Sequence, residues 1–87
     1  MTIEFDPAKS AQNAKERDLP FDLAAELDWD AARIIETRYV AVAPLHGRLH
    51  AVVYCIRGDR RRIISFRKAN KIEEEAYEKA NAARDAP

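Results

Sequence analysis

Alternation of apolar and polar residues dominates the middle of the chain, and alternation of period two marks strands. Arg38 to Ala43 alternates around Val40 and Val42. Arg48 to Ile56 is the strongest such segment, and Arg60 to Arg67 follows it. Ala32 to Glu36, with Ile34 and Ile35, reads the same way. His46-Gly47 and Arg57-Gly58-Asp59 punctuate the series as tight turns, so the spacing predicts an antiparallel meander. A short strand over Thr2 to Phe5 precedes it.

The flanks change period. Asp6-Pro7 is a helix start, with Asp at the cap and Pro at the first helical position, where its missing N–H costs nothing. A mostly polar helix then runs from Pro7 to about Arg17, with Ala8, Ala11 and Ala14 as a thin apolar stripe. Asp18 to Pro20 breaks it. Phe21, Leu23, Ala24, Ala25 and Leu27 predict a second short helix, closed by Asp28-Trp29-Asp30. At the far end Asn70 with Glu73 forms a capping box, and Ile72, Ala76, Tyr77, Ala80 and Ala83 give the last helix its apolar face. The order is β-α-α-β-β-β-β-α. It predicts an α+β fold: a twisted antiparallel sheet of about four strands, with the two N-terminal helices on one face. The last helix docks through Ile72, Ala76 and Ala80. Residues 1–87 read as a single domain, because a chain this short holds one core.

Composition narrows the setting. No apolar run reaches the ~20 residues that span a membrane, and Met1 to Asp6 lacks the basic and apolar regions of a secretory signal. Cys55 is the only cysteine and lies in an apolar strand, which predicts a reduced thiol at or near the core of a cytoplasmic protein. The net charge of zero hides an asymmetry. Arg57 to Lys71 carries seven basic residues and one acid, a net +6, and the rest of the chain is −6. Such a segment is either a solvated charged hairpin or a surface for a polyanion or acidic partner.

Counting dismisses a metal site, but it does not exclude a Ser-His-Asp triad. One Cys with only His46 and His50 supplies no metal-ligand spacing, and these histidines read as turn and strand-surface residues. No nucleophile elbow and no glycine-rich phosphate loop is present, and nothing calls for a cofactor. The informative stretch is Arg62 to Asn70. Strict alternation puts Arg61, Ile63, Ser65 and Arg67 on one face of a strand, and Arg62, Ile64 and Phe66 on the other. The Ile64/Phe66 side should meet the helices. Arg67, with Lys68 beside it, stands just before a helix N-terminus, an arrangement that suits either a phosphate or an ion-paired surface.

Ile64-Ser65-Phe66-Arg67-Lys68-Ala69-Asn70, followed by Glu73 and Tyr77, resembles the C-terminal signature of the BrnT toxins. Asp6, Lys9 and Asn13 resemble the family's opening motif, and Phe21 with Ala24-Ala25 its second helix, so the likeness covers essentially the whole chain. The resemblance implies a RelE-like fold and RNA cleavage that inhibits translation. It also implies a BrnA-like antitoxin with a ribbon-helix-helix domain, through which alone the toxin would meet DNA. Cleavage by a 2′-OH on its own phosphate needs a base, an acid and cations, and no metal if arginines stabilise the charge.

On that reading Arg67 clamps the scissile phosphate as a planar fork. Lys68, Arg62, Arg61, Arg17 and Ser65 contact RNA, and Lys9 helps to position it. Glu73 and Tyr77 transfer protons, against the alternatives of a capping carboxylate and a packed ring. The family commonly has Lys-His-Gly where this chain has Glu16-Arg17-Asp18, so no role for that histidine carries over. The connection Glu36-Thr37-Arg38 is also short. A noncatalytic module that retains antitoxin or RNA binding, and a ParE-like topoisomerase inhibitor, are the competing readings. The Ser-x-Arg-Lys-Ala signature disfavours the latter.

Overall fold

The computed structural model describes residues 2–36 and 39–85. The short connection at Thr37-Arg38 and the side chain of Ala83 lie outside the described residues. Five strands, Thr2–Glu4 (β1), Arg33–Glu36 (β2), Val40–Leu45 (β3), Arg48–Arg57 (β4) and Arg60–Lys68 (β5), form one sheet in the order β1-β5-β4-β3-β2. The meander from β2 to β5 is antiparallel as expected. The sheet as a whole is mixed. β1 adds a fifth strand, parallel to the outer edge of β5, with Thr2 opposite Arg60 and Glu4 opposite Arg62. A parallel partner needs a long crossover, and residues 5–59, more than half of the chain, lie between these two strands.

The turns follow the backbone chemistry of their residues. His46 and Gly47 both have positive φ, 50° and 82°, as the two-residue hairpin of type I′ requires. At the next hairpin Gly58 alone takes the positive value, 64°.

Asp6 Oδ1 accepts from the Ala8 N–H at 2.9 Å and starts the helix Pro7–Arg17 (α1). Asp18, left-handed at φ 58°, closes it. Its alanine stripe does not dock, for Ala8 and Ala11 are exposed. The helix is held instead by polar groups. Buried Ser10 accepts from the Phe21 N–H at 2.8 Å, and Asn13 Nδ2 donates to Leu19 O at 2.6 Å and Phe66 O at 2.8 Å. The expected second helix is a 3-10 segment, Phe21–Glu26, followed by a 3-10 turn at Trp29–Ala31. Its buried residues Phe21, Ala24 and Leu27 recur every three positions, which lines them up on a 3-10 rather than an α-helical face.

A β-bulge overturns the expected strand faces. Val53 pairs with Ser65 and Tyr54 with Ile63, so Ile64 is an extra residue on β5. It turns Ile63 to the same core face as Phe66 and leaves Ile64 48% exposed. Ser65 and Arg67 stay together, whereas Arg61 and Ile63 move to the opposite face.

The larger core lies between the sheet and the N-terminal helical segments, around Phe21, Val52, Tyr54, Ile63 and Phe66. A smaller one, around Val40, Val42 and Ala51, lies beneath the helix Lys71–Asp85 (α2), with Tyr77 packed against it. The expected docking residue Ile72 is 77% exposed, and Glu73 is the buried side chain of that turn. Successive helical residues point about 100° apart, so turning Glu73 inward turns Ile72 out.

Candidate functional site

The junction of β5 and α2 carries the densest polar geometry. Asn70 Oδ1 accepts from the Glu73 N–H at 2.8 Å, and Glu73 Oε1 accepts from the Asn70 N–H at 2.9 Å, a complete capping box. Arg67, at the end of β5, donates Nη1–H to Glu73 Oε1 at 2.5 Å and Nη2–H to Oε2 at 2.7 Å. The hydrogen bonds from Arg67 hold the Glu73 carboxyl below its usual range, helped by the Asn70 N–H and by the charge of Arg67, with burial working against them. Glu73 is therefore ionised at neutral pH.

Tyr77 lies four residues beyond Glu73, on the same side of α2, with its ring half-buried. Ser65 shares the Arg67 face of β5 and is half-buried opposite Val53. The structure thus gathers Arg67, Glu73, Tyr77 and Ser65 on the α2 side of the sheet.

The remaining sequence-predicted residues lie elsewhere. Lys68 turns to the opposite face, where it meets Arg17 in a cleft of about 350 Å³ at the open end of the sheet. Lys68 and Arg67 are neighbours in sequence only, since adjacent strand residues face opposite ways. Arg61 stacks over Trp29, 4.1 Å from the ring centroid, with Tyr54 beyond. Arg62 lies 3.9 Å and Arg60 3.6 Å from the Glu4 carboxylate across the β1–β5 pair. Lys9 is exposed on α1, one turn before Asn13.

Sequence reasoning missed Arg48 and His50, which line the cleft with Arg17 and Lys68. His50 is buried, not a surface residue. The signal was present: His50 alternates with Val52 and Tyr54 on the apolar face of the strand. A larger cleft of about 420 Å³, bordered by Ile3, Phe5, Asp22 and Trp29, carries one carboxylate and no cation, which suits no phosphate. Among the described residues, no three His, Cys, Asp or Glu side chains are grouped to hold a metal ion, and no helix is long and apolar enough to cross a membrane.

A family model, described as ribonuclease toxin, BrnT, of type II toxin-antitoxin system, matches residues 5–73. The chain belongs to the BrnT family. The BrnT match takes in Lys9, Arg17, the whole of β5 and the Arg67–Glu73 pair, and it stops before Tyr77. As a member of a type II toxin-antitoxin family, this BrnT chain has an antitoxin as its partner class. Searched against curated proteins, the sequence has no match.

Proposed function

We propose that this chain is a metal-independent endoribonuclease of RelE-like fold that acts in the cytoplasm, blocks translation by cutting RNA, and is neutralised by a BrnA-like ribbon-helix-helix antitoxin. The observation that carries the reading is the Arg67–Glu73 pair. It sets a guanidinium fork and an ionised carboxylate side by side at the edge of a basic strand, with a phenol one helical turn away.

The chemistry follows from that juxtaposition. The 2′ oxygen attacks phosphorus as its proton passes to Glu73. Protonation weakens the carboxylate's hold on Arg67 and turns the fork toward the phosphorane, where negative charge is growing. The bond from phosphorus to the 5′ oxygen breaks, and Tyr77 supplies the proton to that leaving oxygen. The products are a 2′,3′-cyclic phosphate and a 5′-hydroxyl, and water returns the proton to the phenol as Glu73 loses its own. Arg62 and Ser65 contact the strand nearby, and Lys9 helps to position the RNA from α1. Arg61, Lys68 and Arg17 contribute from the other face of the sheet.

A second reading has its own observation. Both oxygens of Glu73 are already engaged, and the capping box accounts for its burial. On that reading the chain is a noncatalytic module that binds antitoxin or RNA. Incubating the purified protein with a long RNA in a chelator, then identifying the ends of any fragments, separates the two. Cyclic phosphate ends are expected for the enzyme, and intact RNA for the module.

A further inference from the structure

The cleft on the opposite face has the features of a ligand site in its own right. Arg17 comes from the end of α1, Arg48 from the start of β4 and Lys68 from the end of β5. Among the described residues, none of these cations has a carboxylate within 4.0 Å. The acid on the wall is Asp18, and Glu26 is occupied by His46 Nε2 at 3.1 Å. The end of α1, which would otherwise repel an anion, is partly neutralised. The Asp18 N–H takes Ala14 O, and Asn13 takes Leu19 O.

His50 supplies the second, independent observation. It is 5% exposed and lines the cleft, and its ring sits against Phe66 at 5.7 Å. Nδ1 lies 2.9 Å from Arg48 O, and a carbonyl only accepts, so Nδ1 carries the hydrogen. In the neutral ring Nε2 is then a bare acceptor, and it has no hydrogen-bond partner among the described residues. On this mostly buried ring Nε2 keeps contact with solvent, so a donor held in the cleft that His50 lines can reach it. Leu19, Leu23 and Leu45 make the rest of the wall apolar, which favours an organic ester over a bare ion.

We propose that this cleft binds a ribonucleotide phosphate ester, with Arg17, Arg48 and Lys68 on the phosphate and His50 Nε2 accepting from a ribose hydroxyl. Reading the ligand as RNA rests on the ribonuclease assignment, while the phosphate and hydroxyl contacts do not. The site is separate from the Arg67–Glu73 pair and gives the toxin a hold on its substrate that distinguishes RNA from DNA.

The test follows the His50 ring resonances by NMR while the intact protein is titrated with adenosine 3′-monophosphate, its 2′-deoxy analogue and inorganic phosphate. The ribonucleotide should shift the His50 ring and bind several-fold tighter than either control. Arg48→Ser, at an exposed position that leaves the core untouched, should weaken it roughly tenfold, the scale of one charge-assisted contact. No shift at His50, or equal binding of all three probes, overturns the proposal. None of the probes contains a scissile bond, so a protein that fails to cut RNA still gives a clear answer here.

Discussion

Arg67 and Glu73, six residues apart, bind each other through two parallel hydrogen bonds of 2.5 and 2.7 Å, and this pair fastens the last helix to the last strand. Glu73 is 5% exposed and the Arg67 side chain 32%, so the pair is buried on one side and open on the other. An end-of-strand arginine would be expected to contribute little to stability. This one neutralises a buried carboxylate. Arg67→Ala should therefore destabilise the fold by about 1–3 kcal/mol, part of the cost of an unpaired buried charge, reduced because the arginine is partly in water. Most of that loss should vanish when Glu73→Gln is already present. Urea melts of the two single variants and the double variant check the coupling.

The same pair sets a pH dependence. Glu73 titrates below its ordinary 4.5 in the folded state, so the unfolded chain binds more protons in that window. The stabilisation is fully present above the unfolded value and is lost as pH falls through the depressed folded one. Wild type should thus lose part of its advantage over Glu73→Gln as pH falls below about 5, and the difference should stay flat from about pH 5 up to neutrality. Melting curves of both proteins across that range provide the comparison.

Much of the fold was legible because turns and alternation are local. Gly47 and Gly58 marked both hairpins, and Asp6-Pro7 and Asn70/Glu73 marked the helix starts. Two misses share a cause: pairing between distant segments leaves no local trace. Nothing in Thr2-Ile3-Glu4 says that it pairs parallel to Arg60–Arg62, and nothing near Ile64 says that Val53 and Tyr54 will skip it. The bulge then moved Arg61 off the face assigned to it. Arg67 and Glu73 were each readable from one seven-residue stretch, but their pairing was not, because it depends on how α2 turns back on β5. The cleft was not, since its cations come from α1, β4 and β5.

Polar docking of α1 gives a stability test. Ser10→Ala leaves the buried Phe21 N–H without its acceptor and should cost about 1–3 kcal/mol, although alanine has the better helix propensity. Ala11→Ser, one position along on the exposed side, should cost no more than a few tenths of a kcal/mol. Equal melting temperatures for the two variants would contradict the docking described.

The basic strand makes a prediction about the partner. An antitoxin that covers the basic strand should lose affinity when Arg57, Arg60 and Arg62 are reversed to Glu together, and its binding to wild type should weaken with salt. Arg61 is left in place because its stacking on Trp29 belongs to the core. Calorimetric titration at two salt concentrations would report both effects, and unchanged affinity would move the interface to the helices.

If Arg67 and Glu73 act on RNA as well as on the fold, Glu73→Gln should cut RNA slowly while remaining folded. Glutamine keeps an acceptor for the Asn70 N–H and for Arg67 but takes no proton at neutral pH. The measurement is the initial rate on a long RNA in a chelator, at a temperature where melting shows both proteins folded. Wild type should cleave. Folded Glu73→Gln should be slower by roughly 10²–10⁴-fold, the range of a lost proton-transfer group. Cleavage by folded Glu73→Gln at the wild-type rate would leave the pair with a purely structural role.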